Sequence, residues 1–422
     1  MQRTIGQAAN VVYVWNHEYP WDVRVEKVCA ALTNVGRSVH LTARNLGRRS
    51  RREELPEATV HRLRPLPLGR YADAALQFPF FFNPRWVSHL TRTAREANAD
   101  VLMVRDLPLA PTAIHVGRRL GIPVMLDMAE NYPALMTEIF TAKRQKPLDY
   151  VVRNPAATAA VERYTLRNID HVVCVVDEMA DRLRAMGLGA DRISVVSNTP
   201  PRSRVVPAES RTAREPDGAL VLGYLGILEI PRGLGDAIDA VARLRSQGID
   251  ARLRIIGGGR DSEVFEQHAK RLNLDTSIVQ FLGRVDDHRE AVRALEQTDI
   301  GILPYHTSEQ WHTTIANKLF DYMALGLPVV AADARPVERI LHETGAGVTY
   351  RSRDVHDFAH AVLSLRNEDR RRTAGEAGRR AIRDRYHWER DVERLVTAVD
   401  ITVERARENS RKIPSAISLL EA

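Results

Sequence analysis

Apolar runs rich in valine and isoleucine alternate with longer helical segments along most of the chain. Between the first two runs, Val25, Val28 and Leu32 recur at helical spacing, and Gly36 is placed to end that helix. This alternation is typical of a parallel sheet that is covered by helices on both faces. The strands predicted in the first half lie at residues 10–15, 38–42, 101–105, 124–127, 171–176 and 193–197.

A second series of strands and helices follows a break in this pattern. Residues 199–218 contain four prolines among serines, arginines and acids, which is typical of a linker. The strands predicted after it lie at residues 220–225, 252–256, 279–282, 300–304, 328–331 and 347–350. From about residue 355 the pattern is helical and rich in arginine. The predicted organisation is a domain at 1–198, a linker at 199–218, a domain at 219–385, closing helices at 386–410 and a polar tail at 411–422.

Length and charge agree with a two-domain protein that acts on anionic partners. A chain of 422 residues exceeds a single core, and 44% hydrophobic with 27% charged residues is typical of a globular protein in water. The excess of 61 basic over 54 acidic residues favours phosphorylated ligands, and the sequence has no zinc-finger or RNA-binding motif. No apolar run reaches the roughly 18 residues of a spanning helix, and Met1 to Thr4 begin no signal peptide, so a cytoplasmic location is expected.

One short segment places two opposite charges on the same helical face. Lys318 and Asp321 stand at i and i+3 in a helix that Gly326 is expected to end before a buried strand. A cation beside an anion suits a ligand that has both anionic and hydroxyl groups. The alternative is an amphipathic helix with an intrahelical ion pair and a glycine cap, and this segment alone does not decide between the two.

Four strand ends precede this helix in a fixed order. They are Gly223-Tyr224-Leu225-Gly226, Ile255-Ile256-Gly257-Gly258-Gly259, Phe281-Leu282-Gly283-Arg284-Val285 and Thr298-Asp299-Ile300-Gly301-Ile302-Leu303-Pro304. Arg232-Gly233 follows the first at the start of a helix, where a guanidinium and backbone N–H groups suit phosphate oxygens; a surface arginine with a turn glycine is the alternative. The order of these motifs resembles glycosyltransferase family 4, in the subset with an Asn-Lys-Leu-Phe-Asp/Glu-Tyr-Met sequence.

The resemblance implies an α/β protein of the GT-B fold, with two facing doubly wound, Rossmann-like domains and a C-terminal helical region. It also implies retaining transfer of a sugar from a nucleoside-diphosphate sugar, with no metal and no further cofactor. On this basis Asp321 binds the ribose, while Lys318 and Arg232 bind the diphosphate and act in catalysis. The donor-site residues implied by the resemblance are Gly226, Arg232, Gly257, Gly283, Glu309, His312, Thr314, Asn317, Lys318 and Asp321.

Two positions depart from the usual family pattern. The family's Glu-x7-Glu pair would place its first acid at Thr313, and the nearest acid, Glu309, lies four positions earlier. Glu309 is therefore a weak candidate for binding the sugar hydroxyls, and His312 or Thr314 with loop amides would contact the sugar and the phosphate. The family's histidine near the transferred sugar corresponds to Ala129 in this sequence.

The first domain supplies the expected acceptor side and two expected catalytic residues. Asp22 and Arg24 belong to a Pro-x-Asp-x-Arg segment that recurs in related glycosyltransferases, although Asp22 is favoured as a helix N-cap. Asp106 follows a strand end and is a further acceptor-side candidate. His17 or Glu130 is expected to replace the contact of the missing family histidine, with a helix cap as the alternative for Glu130.

An aromatic segment raises the question of membrane contact. Residues 76–86 hold four of the nine phenylalanines and a tryptophan, and three of the four residues at 143–146 are basic. These features fit either docking on the inner face of an anionic membrane or an aromatic loop packed on its own domain. The expected function is synthesis of a cell-surface polysaccharide or glycolipid from a glycan or lipid-linked acceptor. The alternatives are a nucleotide-sugar epimerase of the same fold and a non-catalytic nucleotide-sugar-binding protein, and nucleic-acid binding has the least support.

Overall fold

A computed structural model of the chain describes residues 9–20, 22–64, 81–141, 150, 153–207, 218–285 and 288–412. The chain divides into two compact units, one formed by Met1–Ser197 with Asp391–Ala422 and the other by Asn198–Arg390. Each unit contains one predominantly parallel sheet whose strands are connected by helices. The predicted α/β class is therefore confirmed for both halves of the chain.

The sheet of the first unit has the strand order β3-β4-β2-β1-β5-β6-β7-β8 in the described residues, and only β3 runs antiparallel to its neighbour. Its strands are β1 (Asn10–Val14), β2 (Ser38–Ala43), β3 (Arg52–Glu54), β4 (Thr59–Arg62), β5 (Val101–Arg105), β6 (Val124–Met128), β7 (His171–Cys174) and β8 (Ile193–Val195). Its helices are α1 (Val23–Asn34), α2 (Pro84–Glu96), α3 (Ala110–Leu120), α4 (Tyr132–Thr141), α5 (Pro155–Asn168) and α6 (Asp177–Ala185).

The sheet of the second unit is parallel in the described residues, in the order β11-β10-β9-β12-β13-β14. Its strands are β9 (Leu220–Leu225), β10 (Ala251–Ile256), β11 (Val279–Phe281), β12 (Ile300–Leu303), β13 (Val329–Ala332) and β14 (Gly347–Tyr350). The helices that follow β9 are α7 (Leu234–Ser246), α8 (Ser262–Arg271), α9 (His288–Glu296), α10 (Lys318–Leu325), α11 (Arg335–Thr344), α12 (Val355–Ser364), α13 (Glu368–Asp384) and α14 (Trp388–Lys412).

The twelve predicted strands are confirmed within two residues at either end, whereas the pattern does not predict β3 and β4. β3 consists of three charged residues at the sheet edge, and β4 contains a single aliphatic residue, Val60. Both strands depend on tertiary contacts: Arg62 is 2% exposed in β4 and pairs with Glu53 of β3 at 2.6 Å. The sequence of these two strands therefore contains no apolar run from which they could be predicted.

The last helix, α14, starts in the second unit and belongs to the first unit from Asp391 onward. Its Leu395 and Val399 are fully buried. An ion pair joins Asp400 of this helix to Arg37, just after α1, at 2.5 Å. Apolar burial and charge pairing thus hold the C-terminal helix in the unit that begins the chain.

Several predicted features lie outside the described residues: residues 76–80 of the aromatic segment, the basic residues 143–146, linker residues 208–217 and tail residues 413–422. At the described end of the aromatic segment, Trp86 is 1% exposed in α2. Trp86 is therefore a core residue, which at this position agrees with the alternative of an aromatic segment packed on its own domain. Within the ranges that the structure covers, no helix is both long and apolar enough to cross a membrane.

Candidate functional site

In the second unit the sheet grows outward in both directions from the β9–β12 pair, which makes this pair the switch point. Loops that leave two such strands run to opposite sides of the sheet and open a crevice where ligands bind. Gly226 and Arg232 follow β9, and Pro304 follows β12. The residues predicted to bind phosphate therefore lie where a doubly wound sheet holds its ligand.

Three of the predicted glycines lie against one another at the carboxyl ends of β9, β10 and β11. The N–H of Gly226 donates to Ile256 O at 3.0 Å, and the N–H of Gly257 donates to Gly283 O at 2.8 Å. Gly257 has a φ of 142°, and a Cβ there would stand 1.8 Å from Gly226 O. A side chain at Gly257 would separate these loops, so a glycine is required for the backbones to meet.

Gly233 fixes the loop after β9 to the loop after β12. Its φ is 67°, and a Cβ at this position would stand 1.6 Å from Pro304 O. A 3-10 turn, Ile230–Arg232, precedes it, and α7 begins directly after it at Leu234. The predicted Arg-Gly pair is thus found at the N-terminal end of a helix, in a turn that only glycine can complete.

The Arg232 side chain stacks on two aromatic rings that the sequence pattern did not mark. Its Cζ lies 4.9 Å from the ring centroid of Tyr305 and 5.0 Å from that of Trp311. The two rings are themselves 4.7 Å apart with an interplanar angle of 51°. A cation within about 6 Å of an aromatic centroid is attracted to the ring face. The available signal was a tyrosine and a tryptophan in the polar loop that follows a buried strand.

Lys318 and Asp321 form the ion pair that their spacing predicts. Lys318 Nζ lies 3.2 Å from Asp321 Oδ2, and the two side chains are 31% and 14% exposed. Arg204 Nη1 lies 3.9 Å from Asp321 Oδ1. Partly exposed pairs of this kind contribute only about 0.3–0.5 kcal/mol to stability. The interpretation as an intrahelical ion pair is therefore correct. It does not conflict with ligand binding, because the pair is weak and both side chains are partly exposed to solvent.

Tyr322 ties the helix that carries this pair to both strands of the switch point. Its hydroxyl accepts the N–H of Leu225 in β9 at 2.9 Å and donates to Ile302 O in β12 at 3.3 Å. Its ring lies over Gly301, where a Cβ would come within 2.6 Å. The buried side of α10 thus determines where its charged side stands.

The loop between β12 and α10 places the other predicted donor residues in different surroundings. The Glu309 side chain is 71% exposed, with a carboxylate oxygen 3.4 Å from Arg335 Nη2. The backbone N–H of Arg335 donates to His312 Nδ1 at 3.3 Å. Thr314 is only 5% exposed, whereas Asn317 is exposed at the start of α10. Glu309 and His312 therefore both contact Arg335 at the start of α11, whereas the Thr314 side chain is buried inside the unit.

Together, these side chains offer charge stabilisation and hydroxyl recognition. Arg232, Lys318 and Asp321 are partly exposed within the second unit. Guanidinium and ammonium groups bind phosphate oxygens, and a carboxylate accepts hydrogen bonds from hydroxyl groups. In the part of the chain that the structure describes, no group of three or more histidine, cysteine, aspartate or glutamate residues is placed to hold a metal ion.

In the first unit, His17 lies in the loop after β1, next to the β1–β5 switch point of that sheet. Its ring lies 4.9 Å from the ring of Trp15. Desolvation and, after it, the nearby charge of Arg44 lower the pKa of His17 from its ordinary value, which favours the neutral imidazole. Asp22 accepts the N–H of Val25 at 2.8 Å, which confirms its favoured interpretation as the N-cap of α1.

Arg24 lies inside the first unit and has almost no surface to offer an acceptor. It is 3% exposed; its Nη2 lies 2.6 Å from Asp127 Oδ1, and its Nη1 donates to Val196 O at 3.1 Å. The hydroxyl of Tyr13 donates to Asp127 Oδ2 at 2.5 Å. Burial alone would raise the pKa of Asp127, but Arg24 and Arg105 hold it below its ordinary value. The acceptor-side prediction for Arg24 is therefore replaced by a structural role.

Asp106 is also buried, at 5% exposure, and organises the loop after β6 instead of facing an acceptor. Its Oδ2 lies 3.0 Å from Arg105 Nη1, and its Oδ1 accepts the N–H of Ala129 at 2.9 Å. Burial raises the pKa of Asp106, and Arg105 opposes that shift. Glu130 is half-buried directly after this fixed residue. The acceptor-side prediction for Asp106 is thus corrected, and Ala129, at the place of the family's histidine, is held through its backbone.

Two family models match the chain, one in each unit. The model described as "Glycosyl transferases group 1" matches residues 219–368, and the model described as "Glycosyl transferase 4-like domain" matches residues 22–199. The chain carries two glycosyltransferase domains. The predicted relation to glycosyltransferase family 4 is confirmed at this level, and the subset with the Asn-Lys-Leu-Phe-Asp/Glu-Tyr-Met sequence stays a prediction.

Curated relatives of these glycosyltransferase domains include two mycobacterial proteins. Glycogen synthase of Mycobacterium tuberculosis is 26% identical over 263 residues, which cover 62% of this chain and 60% of that protein. Phosphatidyl-myo-inositol mannosyltransferase of Mycobacterium leprae is 29% identical over 215 residues, which cover 50% of this chain and 54% of that protein. The chain thus spans less than two thirds of the length of either relative.

Solved structures share the fold of this chain along nearly its whole length. Sucrose-phosphate synthase from Thermosynechococcus elongatus has a TM-score of 0.74 at 16% identity, covering 93% of this chain and 98% of that one. Anabaena Alr3699/HepE in complex with UDP-glucose has a TM-score of 0.66 at 14% identity, covering 93% and 99%. At these identities the likeness establishes the fold alone, and the predicted GT-B fold is confirmed.

Proposed function

We propose that the protein is a retaining glycosyltransferase that transfers a sugar from a nucleoside-diphosphate sugar to an acceptor in the synthesis of a cell-surface polysaccharide or glycolipid. The observation that carries this proposal is the position of Arg232. It stands at the N-terminal end of α7 and at the switch point of the second sheet, in a turn that Gly233 alone permits. A guanidinium and a helix N-terminus at such a point are the groups that bind a diphosphate.

The names of similar proteins support a sugar donor of this class. One relative is described as a GDP-mannose-dependent mannosyltransferase that acts on phosphatidylinositol dimannoside, and the Anabaena structure holds UDP-glucose. Both names contain a nucleoside-diphosphate sugar. We infer the same donor class for this chain, with a glycan or lipid-linked acceptor, and assign neither the base nor the sugar.

In the proposed reaction the bond between the anomeric carbon and the diphosphate oxygen breaks, and the acceptor oxygen bonds to that carbon from the same face. The proton of the acceptor hydroxyl passes to the departing diphosphate. The electron pair of the broken bond stays on the diphosphate oxygen, so negative charge develops there before the proton arrives, and Arg232, Lys318 and the N–H groups of α7 stabilise that charge. Asp321 accepts hydrogen bonds from the ribose hydroxyls. The two cations can supply the stabilisation that a divalent metal supplies in other transferases, and activity in excess EDTA would test this part of the proposal.

The donor site is tested by the Asp321→Ala variant. Loss of the charged acceptor should weaken binding of UDP or GDP, whichever the protein prefers, by about 10- to 100-fold, because hydrogen bonds to charged groups contribute about 1.5–3 kcal/mol. The affinity is measured by calorimetric titration. Asp369→Ala is the matched control, because Asp369 forms a comparable i,i+3 ion pair with Arg372 on α13 of the same unit. Equal nucleotide affinity in both variants would place the donor site elsewhere.

Acceptor-dependent release of nucleoside diphosphate separates transfer from the other functions. Ala129 stands at the place of the family's histidine and Thr313 at that of its first glutamate, which is the observation that favours a non-catalytic nucleotide-sugar-binding protein. Such a protein would bind the sugar nucleotide and release no diphosphate with any acceptor. An epimerase would convert the sugar nucleotide without an acceptor, which product analysis would detect.

We further propose a cytoplasmic location, with peripheral contact to an anionic membrane that brings the protein to a lipid-linked acceptor. The support is the net charge of +7, which favours anionic surfaces. Flotation with vesicles of phosphatidylglycerol at low salt tests it. Binding that disappears at high salt is expected, and no binding at low salt would contradict the membrane proposal without affecting the donor site.

A further inference from the structure

We propose that Tyr305 and Trp311 are positioning residues, which hold the guanidinium of Arg232 for the departing diphosphate. This inference rests on the proposed donor site and adds a function for the loop after β12. The aromatic rings contact Arg232 and need not touch the substrate. They act by restricting where the guanidinium can stand.

The first support is the geometry of the three side chains. Arg232 Cζ is almost equidistant from the two ring centroids, at 4.9 Å and 5.0 Å, so both rings are within cation–π distance of the same cation. Tyr305 is 8% exposed, and Trp311 is partly exposed. Contact with the rings restricts the rotamers of the arginine side chain already in the folded protein. Ligand binding then costs less side-chain entropy, because the arginine is ordered before the ligand arrives.

The second support is that the N–H donors of Arg232 remain available for a ligand. Among the described residues, the Arg232 guanidinium makes no hydrogen bond and no ion pair with another side chain. A cation–π contact attracts the guanidinium through its positive charge and needs no hydrogen-bond acceptor, so it does not pair the N–H donors with an anion. A carboxylate partner would have fixed the arginine equally well but would have competed with the phosphate oxygens. Aromatic partners fix the cation and leave its donors for the ligand.

The third support is a pair of contacts that joins the loop after β12 to the segment that carries Arg232. The N–H of His306 donates to Pro231 O at 3.1 Å, and His306 Nε2 lies 3.1 Å from Asp236 Oδ2 in the first turn of α7. These bonds join the residues beside Arg232 to the residue after Tyr305. A shift of the loop after β12 would therefore move the rings and the arginine together, which preserves the stacking.

A double-mutant cycle tests the inference, with UDP and GDP as probes in calorimetric titrations. Trp311→Leu is expected to weaken the affinity for the bound nucleotide by about 3- to 30-fold in the wild-type background, the range of a partly desolvated cation–π contact. In the Arg232→Ala background the same change should have less than about a 2-fold effect, since the group to be positioned is gone. Trp311→Phe should restore most of the affinity because it keeps a ring face.

The outcomes separate this inference from the proposed function. If Trp311→Leu weakens nucleotide binding equally in both backgrounds, Trp311 acts independently of Arg232 and the positioning role is wrong, while the donor site stands. If the folded wild type binds none of the nucleoside diphosphates UDP, GDP, ADP and dTDP, or if Arg232→Ala binds as well as the wild type, the donor site itself is wrong. Near-UV circular dichroism of each variant confirms the native fold before titration. Arg232→Lys keeps a cation that can contact the rings, so part of the coupling to Trp311 should remain in that background.

Discussion

At the scale of single residues, two kinds of position determine the candidate donor site: glycines that allow backbones to meet and charged side chains whose burial differs sharply. Gly233 could be expected from the Arg-Gly pair in the sequence, but the reason for it, a contact with Pro304 O, is visible only in the structure. Arg24 and Arg232 have the same chemistry and opposite surroundings. Arg24 neutralises a buried carboxylate, whereas Arg232 contacts two aromatic rings and keeps its donors available.

A substitution at Gly233 tests whether the two loops of the switch point must meet. Gly233→Ala places a Cβ 1.6 Å from Pro304 O and strains a residue with a φ of 67°, so either the turn or the loop after β12 must move. We expect a loss of at least about 1–3 kcal/mol in the free energy of unfolding, the usual cost of such backbone strain. Urea denaturation measures it, and nucleotide affinity should fall in parallel.

Gly235→Ala is the matched control for this substitution. Gly235 lies two residues later, in the first turn of α7, and a Cβ there meets nothing within 4 Å. Because alanine favours a helix over glycine by up to about 1 kcal/mol, this variant should be as stable as the wild type or more stable. Equal destabilisation by both substitutions would contradict the close contact assigned to Gly233.

At the scale of the element, α10 shows why a short helix can hold a binding site. Its eight residues are too few for a stable isolated helix, which needs about 12–15 residues or more. Burial of Leu319, Phe320 and Met323 supplies the stability, at about 1.5–3 kcal/mol for each large apolar side chain. The amphipathic pattern predicted this division into a buried and a charged face, and Gly326 ends the helix as expected. The hydrogen bonds of Tyr322 to two distant strands were not predictable, because a tyrosine in an apolar helix gives no sign of its partners.

Removal of a single hydroxyl tests how α10 is positioned. Tyr322→Phe leaves the half-buried N–H of Leu225 without its acceptor and the carbonyl of Ile302 without its donor, which should cost about 1–3 kcal/mol in the free energy of unfolding. A lower nucleotide affinity is also expected, because Lys318 and Asp321 stand on the same helix. Tyr386→Phe is the control, since the Tyr386 hydroxyl makes only an exposed bond to Glu343 at 3.2 Å and its loss should change stability by less than about 0.5 kcal/mol. A Tyr322→Phe variant as stable as the control would contradict the anchoring role.

At the scale of the whole molecule, pairs of charges that are far apart in sequence join elements within the first unit. The Arg24–Asp127 pair spans 103 residues, and the contact between Arg37 and Asp400 spans 363. Histidines in the first unit add a dependence on pH. His61, His89 and His171 are held in surroundings that disfavour the imidazolium, mainly through burial, and each has a pKa lowered to about 4.

These histidines predict a loss of stability in mild acid. A pKa lowered from 6.5 to about 4 means that the unfolded chain binds these protons at a higher pH than the folded protein does. The lowered pKa values of these histidines therefore contribute fully to the free energy of unfolding above pH 6.5. This contribution decreases as the pH falls from 6.5 toward 4. Urea denaturation at pH 7.0, 6.0 and 5.0, above the range in which ordinary carboxylates titrate, should show a falling midpoint. His171→Asn should reduce this slope, and an unchanged midpoint across the range would contradict the prediction.

The sequence by itself determined the two α/β domains, twelve of the strands, the Asp22 cap and the paired charges of α10, because each of these follows from a local period or spacing. The order of the glycine motifs was also visible in the sequence, and that order indicated the family. Only the tertiary structure decided which charges are buried and which remain reachable. Arg24 meets Asp127, and Arg232 meets Tyr305 and Trp311, through chain segments far apart in sequence. Such contacts depend on how strands and loops are brought together, and no periodicity along the chain specifies that.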